Sequence, residues 1–450
     1  MRQKISRGCR LIRTASFIIT FLFARGVVQA QSPDSLKYLS LEDAIEKVQE
    51  QNKSLKTASL DQKIAEANFR QTDAVFLPQL ALSYSAMRTD NPMNAFGFKL
   101  QQQTISQQDF DPARLNNPAA INDVSTSLDI RQPLFNPDMY FMRQGARNQK
   151  EIYEYKLLRT KEYLRFETEK TYLQLQLAYQ ADLVTKESLN TALQILTTTT
   201  HLFEQGLIKK SDLLQAQVHK LGMESQKAQT ENVIRNVSDY LSFLMGQPSG
   251  TVYAVDELKA ASSTEQNTAT VPDSRADFMA MQKAIEASEK MVKASQMSFL
   301  PKLNAFGSYQ FHDRKLTGFN SDSYLAGIQL SWNIFEGNSR KFKLKSRILE
   351  QEKLETELAS QKEQSQLELS KTLRNIDEAN LMVLQQKTAV EQADEALRIL
   401  QNRHGQGLTS TTDVLTAQTL LAQQKMNYAQ SLFTVRLNAA YLNFSTIQAQ

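Results

Sequence analysis

The sequence predicts a mainly α-helical protein made of two copies of one large unit, each copy also carrying a pair of long β-strands. Three observations predict this. A phrase recurs: Leu202-Phe203-Glu204-Gln205-Gly206-Leu207 runs into Ser211-Asp212-Leu213-Leu214-Gln215-Ala216-Gln217, and Arg403-His404-Gly405-Gln406-Gly407-Leu408 runs into Thr412-Asp413-Val414-Leu415-Thr416-Ala417-Gln418. Two stretches of more than fifty residues, between Gly145 and Gly206 and between Gly337 and Gly405, lack both glycine and proline. Four segments switch from a period of 3.6 to a period of 2. The order of landmarks is the same in both halves, so a single unit is duplicated; a solenoid would repeat every ~20–50 residues.

The chain begins with a basic stretch (Arg2, Lys4, Arg7, Arg10, Arg13), an apolar run Phe17–Phe23 and the small-residue site Val28-Gln29-Ala30. This is the pattern of a secretory leader over residues 1–30, too short in its apolar part for the ~20 residues of a membrane span. Without those thirty residues the formal charge falls from +4 to −2, because all six charges removed are basic. The basic balance therefore belongs to the leader and makes no case for a nucleic-acid partner. Cys9, the only cysteine, leaves with the leader, so the mature chain is expected to have no disulfide and to rely on packing and assembly.

A first repeat is expected over 31–246, a linker over 247–274 and a second repeat over 275–450. Each repeat opens with a short helix, at about 54–77 and 275–300. Phe76-Leu77-Pro78-Gln79-Leu80 and Phe299-Leu300-Pro301-Lys302-Leu303 then mark the change to strand, since a proline pushes the preceding residue towards extended geometry. Leu80, Leu82, Tyr84 and Ala86 alternate with small or polar residues, as do Thr126, Leu128 and Ile130. In the second repeat Leu303, Ala305, Gly307, Tyr309 and Phe311 alternate likewise, as do Tyr324, Ala326, Ile328, Leu330 and Trp332. Arg88–Val124 joins the first pair and, punctuated by Pro and Gly, reads as a long irregular surface loop that either covers the outer end or serves adhesion.

The glycine-free stretches are rich in helix formers and predict helices roughly 90–100 Å long. Ile376, Val383, Val390 and Leu397 recur every seven, with Ala379, Ala393 and Leu400 three further on. Leu189, Leu193, Leu196 and Phe203 suggest the same coiled-coil seam in the first repeat. Gly206 and Gly407 suit the left-handed position that ends a helix, Ser211 and Thr412 the N-cap of the next, and Asp212 and Asp413 its first turn. Return helices follow at about 212–245 and 413–444.

Each strand has a length that fits a transmembrane β-strand. Four strands leave edges, and open edges are not tolerated in lipid, so a membrane role requires several chains to close one barrel. The competing class is a periplasmic structural coiled coil that never enters a membrane; it has no use for four alternating segments flanked by prolines. Enzyme signatures such as a phosphate loop, His-Glu-x-x-His, Gly-x-Ser-x-Gly or a cysteine nucleophile do not occur, and no cofactor is expected.

The seven landmarks, in the same order twice, resemble the TolC-like outer membrane efflux protein family over essentially the whole mature length. The resemblance implies a homotrimer with a twelve-stranded barrel in outer-membrane lipid, a periplasmic helical tunnel, and an equatorial belt from 31–53, 246–274 and the C-terminal end. It implies a passive duct whose partners are a periplasmic adaptor and an inner-membrane pump, with cargo chosen by the pump. Gly206, Leu207, Ser211, Asp212, Leu213, Gly407, Leu408 and Val414 then match the adaptor-docking tip, and Asp413 matches a gate ring. Gln205 and Gln406 depart from the valine of many relatives, and Thr416 stands where a second acidic ring would be. His201 and His404 fall near the tip, where exposed helical histidines are a commoner reading than ligands. Lys209 and Lys210 are read as solvated charges or as contacts to a partner. Trp332, Tyr324 and Phe335 read as an aromatic girdle, or as packing against a neighbouring protomer.

Overall fold

The computed structural model describes residues 37–259 and 270–448; the expected leader with Cys9 and part of the linker lie outside them. Strand β1 (Lys37–Tyr38) leads to α1 (Leu41–Gln51) and α2 (Lys53–Gln71). Then come β2 (Gln79–Thr89), two short helices α3 (Pro92–Gln101) and α4 (Pro112–Asn116), β3 (Ile121–Phe135), the long α5 (Pro137–Glu204) and its return α6 (Lys210–Leu244). After β4 (Tyr253–Ala254), the second repeat runs α7 (Ala276–Met297), β5 (Lys302–Asp313), β6 (Ser321–Ser331), α8 (Ser339–Gly405) and α9 (Thr411–Thr446).

The sheet is antiparallel in the order β2-β3-β5-β6, so the two strand pairs meet through β3 and β5 while β2 and β6 are free edges. Helices α5 and α8, of 68 and 67 residues, are each about 100 Å long at the usual rise. Helices α7 and α6 both pack along α5, and α9 packs along α8 and α5. Buried Leu397, Ala393, Val414, Leu415 and Leu421 meet Ile195 near the hairpin ends. Leu39, Ala44, Val48, Leu175, Leu241, Met245 and Tyr253 gather where β1, α1 and the segment after α6 wrap around α5.

The seam of α8 is the expected one: Ala379, Ala393 and Leu397 are buried. In α5 it is displaced. The buried series is Ser188, Ala192, Ile195, Thr199 and Leu202, whereas Leu193 is exposed and Leu189, Leu196 and Phe203 are half-buried. Small side chains at these positions let helices approach closely, and Thr199 satisfies its hydroxyl on the Ile195 carbonyl at 2.7 Å. Apolar residues alone therefore pointed one face too far round.

The N-caps are two residues earlier than expected. They are Lys209 and Ser410, with Ser211 and Thr412 already helical; the Ser410 hydroxyl accepts from Asp413 N at 3.2 Å. The segment between β2 and β3 is also more ordered than an irregular loop. Pro92 and Pro112 occupy first helical turns, and Asn91 and Asp111 cap them, accepting from Asn94 N at 3.2 Å and Ala113 N at 3.0 Å. Proline starts a helix here because its missing N–H would have been unpaired anyway.

Gly246 closes α6 at φ +68, and a Cβ there would lie 2.5 Å from the Gln51 carbonyl oxygen. Gly246→Ala should therefore cost roughly 1–2 kcal/mol in backbone strain alone, with the clash added. Gly97→Ala, where a Cβ would meet nothing within 4 Å, should be neutral or stabilising. Thermal unfolding followed by circular dichroism in detergent checks the pair, and equal melting temperatures would refute the contrast.

Candidate functional site

Two surfaces stand out: the faces of the sheet at one end of the chain and the paired hairpin turns at the other. Register places Leu80, Ile130 and Gly307 on one row of the sheet, with Ala326 beyond; Leu82, Leu128, Tyr309 and Tyr324 form the next. This face is apolar and open to solvent, Leu82 being 74% exposed and Ile328 67%. The opposite face carries Ser83, Ser127, Gln310 and Ser323 on one row and Ser85, Ser125, His312 and Ser321 on another. Ser83 and Ser127 share a hydrogen bond of 2.6 Å, Ser85 and Ser125 one of 2.7 Å. One oily and one wet face is the pattern of a barrel wall between lipid and an aqueous lumen. At ~3.4 Å per residue the twelve residues of β5 span about 40 Å, or roughly 30 Å vertically at the usual barrel tilt.

Aromatic residues sit at both levels of the apolar face. Trp332 and Phe335 are at the helix-facing end, where Trp332 Nε1 donates to the Phe299 carbonyl at 3.0 Å. Tyr324 does not join them: it lies near the opposite end of β6, paired with Tyr309 of β5; at the same level on the far edge strand β2, the Tyr84 hydroxyl donates to the Leu316 carbonyl at 2.5 Å. The junction from strand to helix is fixed by ion pairs, Lys302 to Asp138 at 2.5 Å and Arg143 to Asp73 at 2.7 Å.

At the other end, both turns close in the same way. Gly206 and Gly407 adopt φ +72 and +74. Gly206 N donates to Phe203 O and Leu207 N to Leu202 O; Gly407 N donates to His404 O and Leu408 N to Arg403 O. These paired bonds satisfy the last carbonyls of α5 and α8. Leu207 and Leu408 are thereby held outward, each 64% exposed. Ser211 is exposed, Asp212 and Leu213 are half-buried, and Asp413 is exposed with its carboxylate accepting from the Ser410 hydroxyl at 2.7 Å. Val414 differs from its neighbours: it is 0% exposed and packs in the hairpin core, so it supports the turn from beneath.

Between the hairpins lies a set of polar ties that spacing gave no reason to expect. Buried Gln418 donates to the Ser188 carbonyl at 2.5 Å and accepts from His219 Nε2 at 3.2 Å, joining α9 to α5 and α6. Thr412 Oγ1 donates to Gln215 at 3.0 Å. His404 is buried, its Nδ1 3.1 Å from the Thr409 carbonyl and its Nε2 3.4 Å from Thr199 Oγ1, while His201 is exposed. The two histidines are not brought together in the chain, and the described residues contain no cluster able to hold a metal.

A pair of long helical hairpins joined to an open, two-faced four-stranded sheet is the architecture of an outer-membrane channel subunit. The Outer membrane efflux protein family model matches residues 44–247 and 270–442, and the chain belongs to that family. Its members are channels, not enzymes. In fold it is similar to CusC, with a TM-score of 0.75 and 17% identity over 94% of this chain and 96% of that one. The outer membrane protein VceC from Vibrio cholerae gives 0.75 and 17% over 91% and 96%. The CmeC outer membrane channel of Campylobacter jejuni gives 0.74 and 16% over 90% and 85%. No curated protein matches the sequence.

Burial pushes the His219 imidazole below its ordinary value. Its contribution is full above about pH 6.5 and is lost as pH falls through the lowered folded value, because the unfolded chain takes up a proton that the folded chain resists. His219→Gln should flatten that part of the acid slope of the melting temperature. Identical slopes in variant and wild type between mildly acidic and neutral pH would remove this assignment.

Proposed function

We propose that three copies of this chain close a twelve-stranded barrel in an outer membrane and continue as a helical tunnel, forming a passive export duct. The observation that carries this reading is the sheet with one apolar face, one polar face and two unpaired edges. A sheet of that kind has no stable place in lipid until neighbouring copies pair its edges, since each unmet backbone group costs several kcal/mol there. The tunnel docks a periplasmic adaptor at its tip and works with an inner-membrane pump. Leu207, Leu408 and the residues around Gly206, Ser211, Asp212, Leu213 and Gly407 form the docking surface, with Val414 stiffening it. The elements around β1, α1 and β4 form the belt where the tunnel is girdled.

Asp413 is the gate residue in this reading. Three carboxylates converging on the axis hold cations at the constriction. The apolar sheet face argues against a coiled coil that stays out of the membrane, because a soluble protein rarely leaves a patch of that size uncovered.

Mass determination in detergent should give three mature chains per particle; a folded, membrane-inserted monomer would end the barrel reading. Planar-bilayer conductance tests the gate: Asp413→Asn should weaken cation preference and relieve block by multivalent cations, and Asp212→Asn should do less. Equal effects, or none, would leave Asp413 as a helix-capping residue only, its bond with Ser410 accounting for it.

A further inference from the structure

The segment between β2 and β3 is fastened in an unexpected place. It leaves the sheet at one free edge, β2, yet the end of α3 is held on β3, on β6 and on Arg314 just past β5. Gln102 is the fastening point and is 1% exposed. Its Nε2 donates to Asp123 Oδ1 and to the Asn122 carbonyl, both at 2.8 Å, and its Oε1 accepts from Arg314 Nε at 3.1 Å. Arg314 also reaches Thr104 Oγ1 at 3.0 Å, and the Ser321 hydroxyl donates to the Gln101 carbonyl. His312 Nδ1 lies 3.1 Å from Asp123 Oδ2, while its buried Nε2 has no partner.

Register decides which face this is. Ser125 pairs with His312 and His312 with Ser321, and Asp123 is two positions along β3 from Ser125. These residues share the wet face with Ser83, Ser127, Gln310 and Ser323. The insertion is thus folded over the polar side of the sheet and not over its apolar side. It keeps its own shape: Lys99 Nζ binds Asp109 Oδ1 at 2.7 Å, and the Phe96 and Phe110 rings meet edge to face at 5.8 Å. The Lys99 bond, helped by Ser106, holds the Asp109 carboxyl well below the usual range. Gln103 takes φ +54, rare for a residue with a side chain, and such strain persists only where surroundings impose it.

We propose that this insertion is a size-selecting constriction at the outer mouth of the duct, positioned by Gln102 and Asp123, so that the duct carries a second filter at the end opposite its helical tips. The proposal rests on the barrel reading above: in a closed barrel the polar face is the lumen wall, and three inward-folded insertions meet there. Its fastening groups, Gln102, Asp123 and Arg314, are bonded to one another and not held out for a ligand, so the constriction discriminates cargo by bulk. It acts on whatever leaves, independently of the pump.

The test uses the full chain in the outer membrane of intact cells, with Cys9→Ser as background. Lys315→Cys reports the exposed outer turn and Ser323→Cys the lumen wall beneath the insertion. Each is treated from outside with a small charged maleimide or a long polyethylene-glycol maleimide. Lys315→Cys should react with both; failure with both overturns the barrel reading itself. Ser323→Cys should exclude the long reagent, and adding Gln102→Ala or replacing 92–118 with a short Gly-Ser turn should raise its rate roughly tenfold or more, as expected when a folded segment stops protecting a site. Equal reaction of Ser323→Cys and Lys315→Cys with the long reagent would overturn the constriction. An unchanged rate in Gln102→Ala, with a raised rate in the replacement, would overturn Gln102 as its anchor.

Discussion

Backbone hydrogen bonding at the two sheet edges governs the rest of the molecule. β2 and β6 each present a row of N–H and C=O groups that the chain itself leaves unpaired. In water such edges invite aggregation, and in lipid they are prohibitive. Among the described residues no further strand pairs with either edge. In the proposed barrel the sheet's two-faced chemistry sets how neighbours add, apolar side out and serine-lined side in.

The helices meet a different constraint. A helix of 67 or 68 residues cannot stand alone, and the chain supplies partners in pieces. α7 and α6 cover successive parts of α5, so a continuous helix is braced by two shorter ones. Small residues make the close contact: Ala192, Ala393 and Ala417 are buried between the hairpins, and Gly145 approaches α7 so closely that a Cβ would lie 2.6 Å from the Met291 methyl. Polar ties such as Gln418 then fix the register that small side chains leave loose. A buried amide with both ends bonded tolerates no sliding.

Much of this was legible in the sequence because it rests on periodicity. The alternation of Leu80, Leu82 and Tyr84, the heptads of α8 and the twin glycines at 206 and 407 each reflect one local rule. What was illegible rests on competition between rules. The α5 seam was misplaced because Ser188, Ala192 and Thr199 carry it, and hydrophobicity does not rank them as core. Pro92 and Pro112 read as breakers, but the preceding Asn91 and Asp111 make them helix starts, a signal that was present. Tyr324 was grouped with Trp332 by proximity in sequence along one strand, whereas the length of β6 separates them. Val414 could not be told from the exposed residues beside it until the packing of α9 on α5 was known. Gln102 carried no local sign at all, since its role depends on Asp123 and Arg314.

Duplication makes two equal halves, and the places where they differ are therefore informative. The strand pairs share register logic, yet β2 and β3 are joined by residues 90–120 where β5 and β6 need only 314–320. The turns share φ values and carbonyl bonds, yet one presents Lys209 and Lys210 while the other buries His404 against Thr199. In both cases the regular elements keep the repeat and the connections break it. That is the expected division in a duct. In the proposed duct the wall must be regular so that copies close around an axis, while the two openings each meet a distinct environment. Selection on the openings acts through connections because strand and helix interiors are committed to pairing and packing, and a change there would reach every copy of the wall.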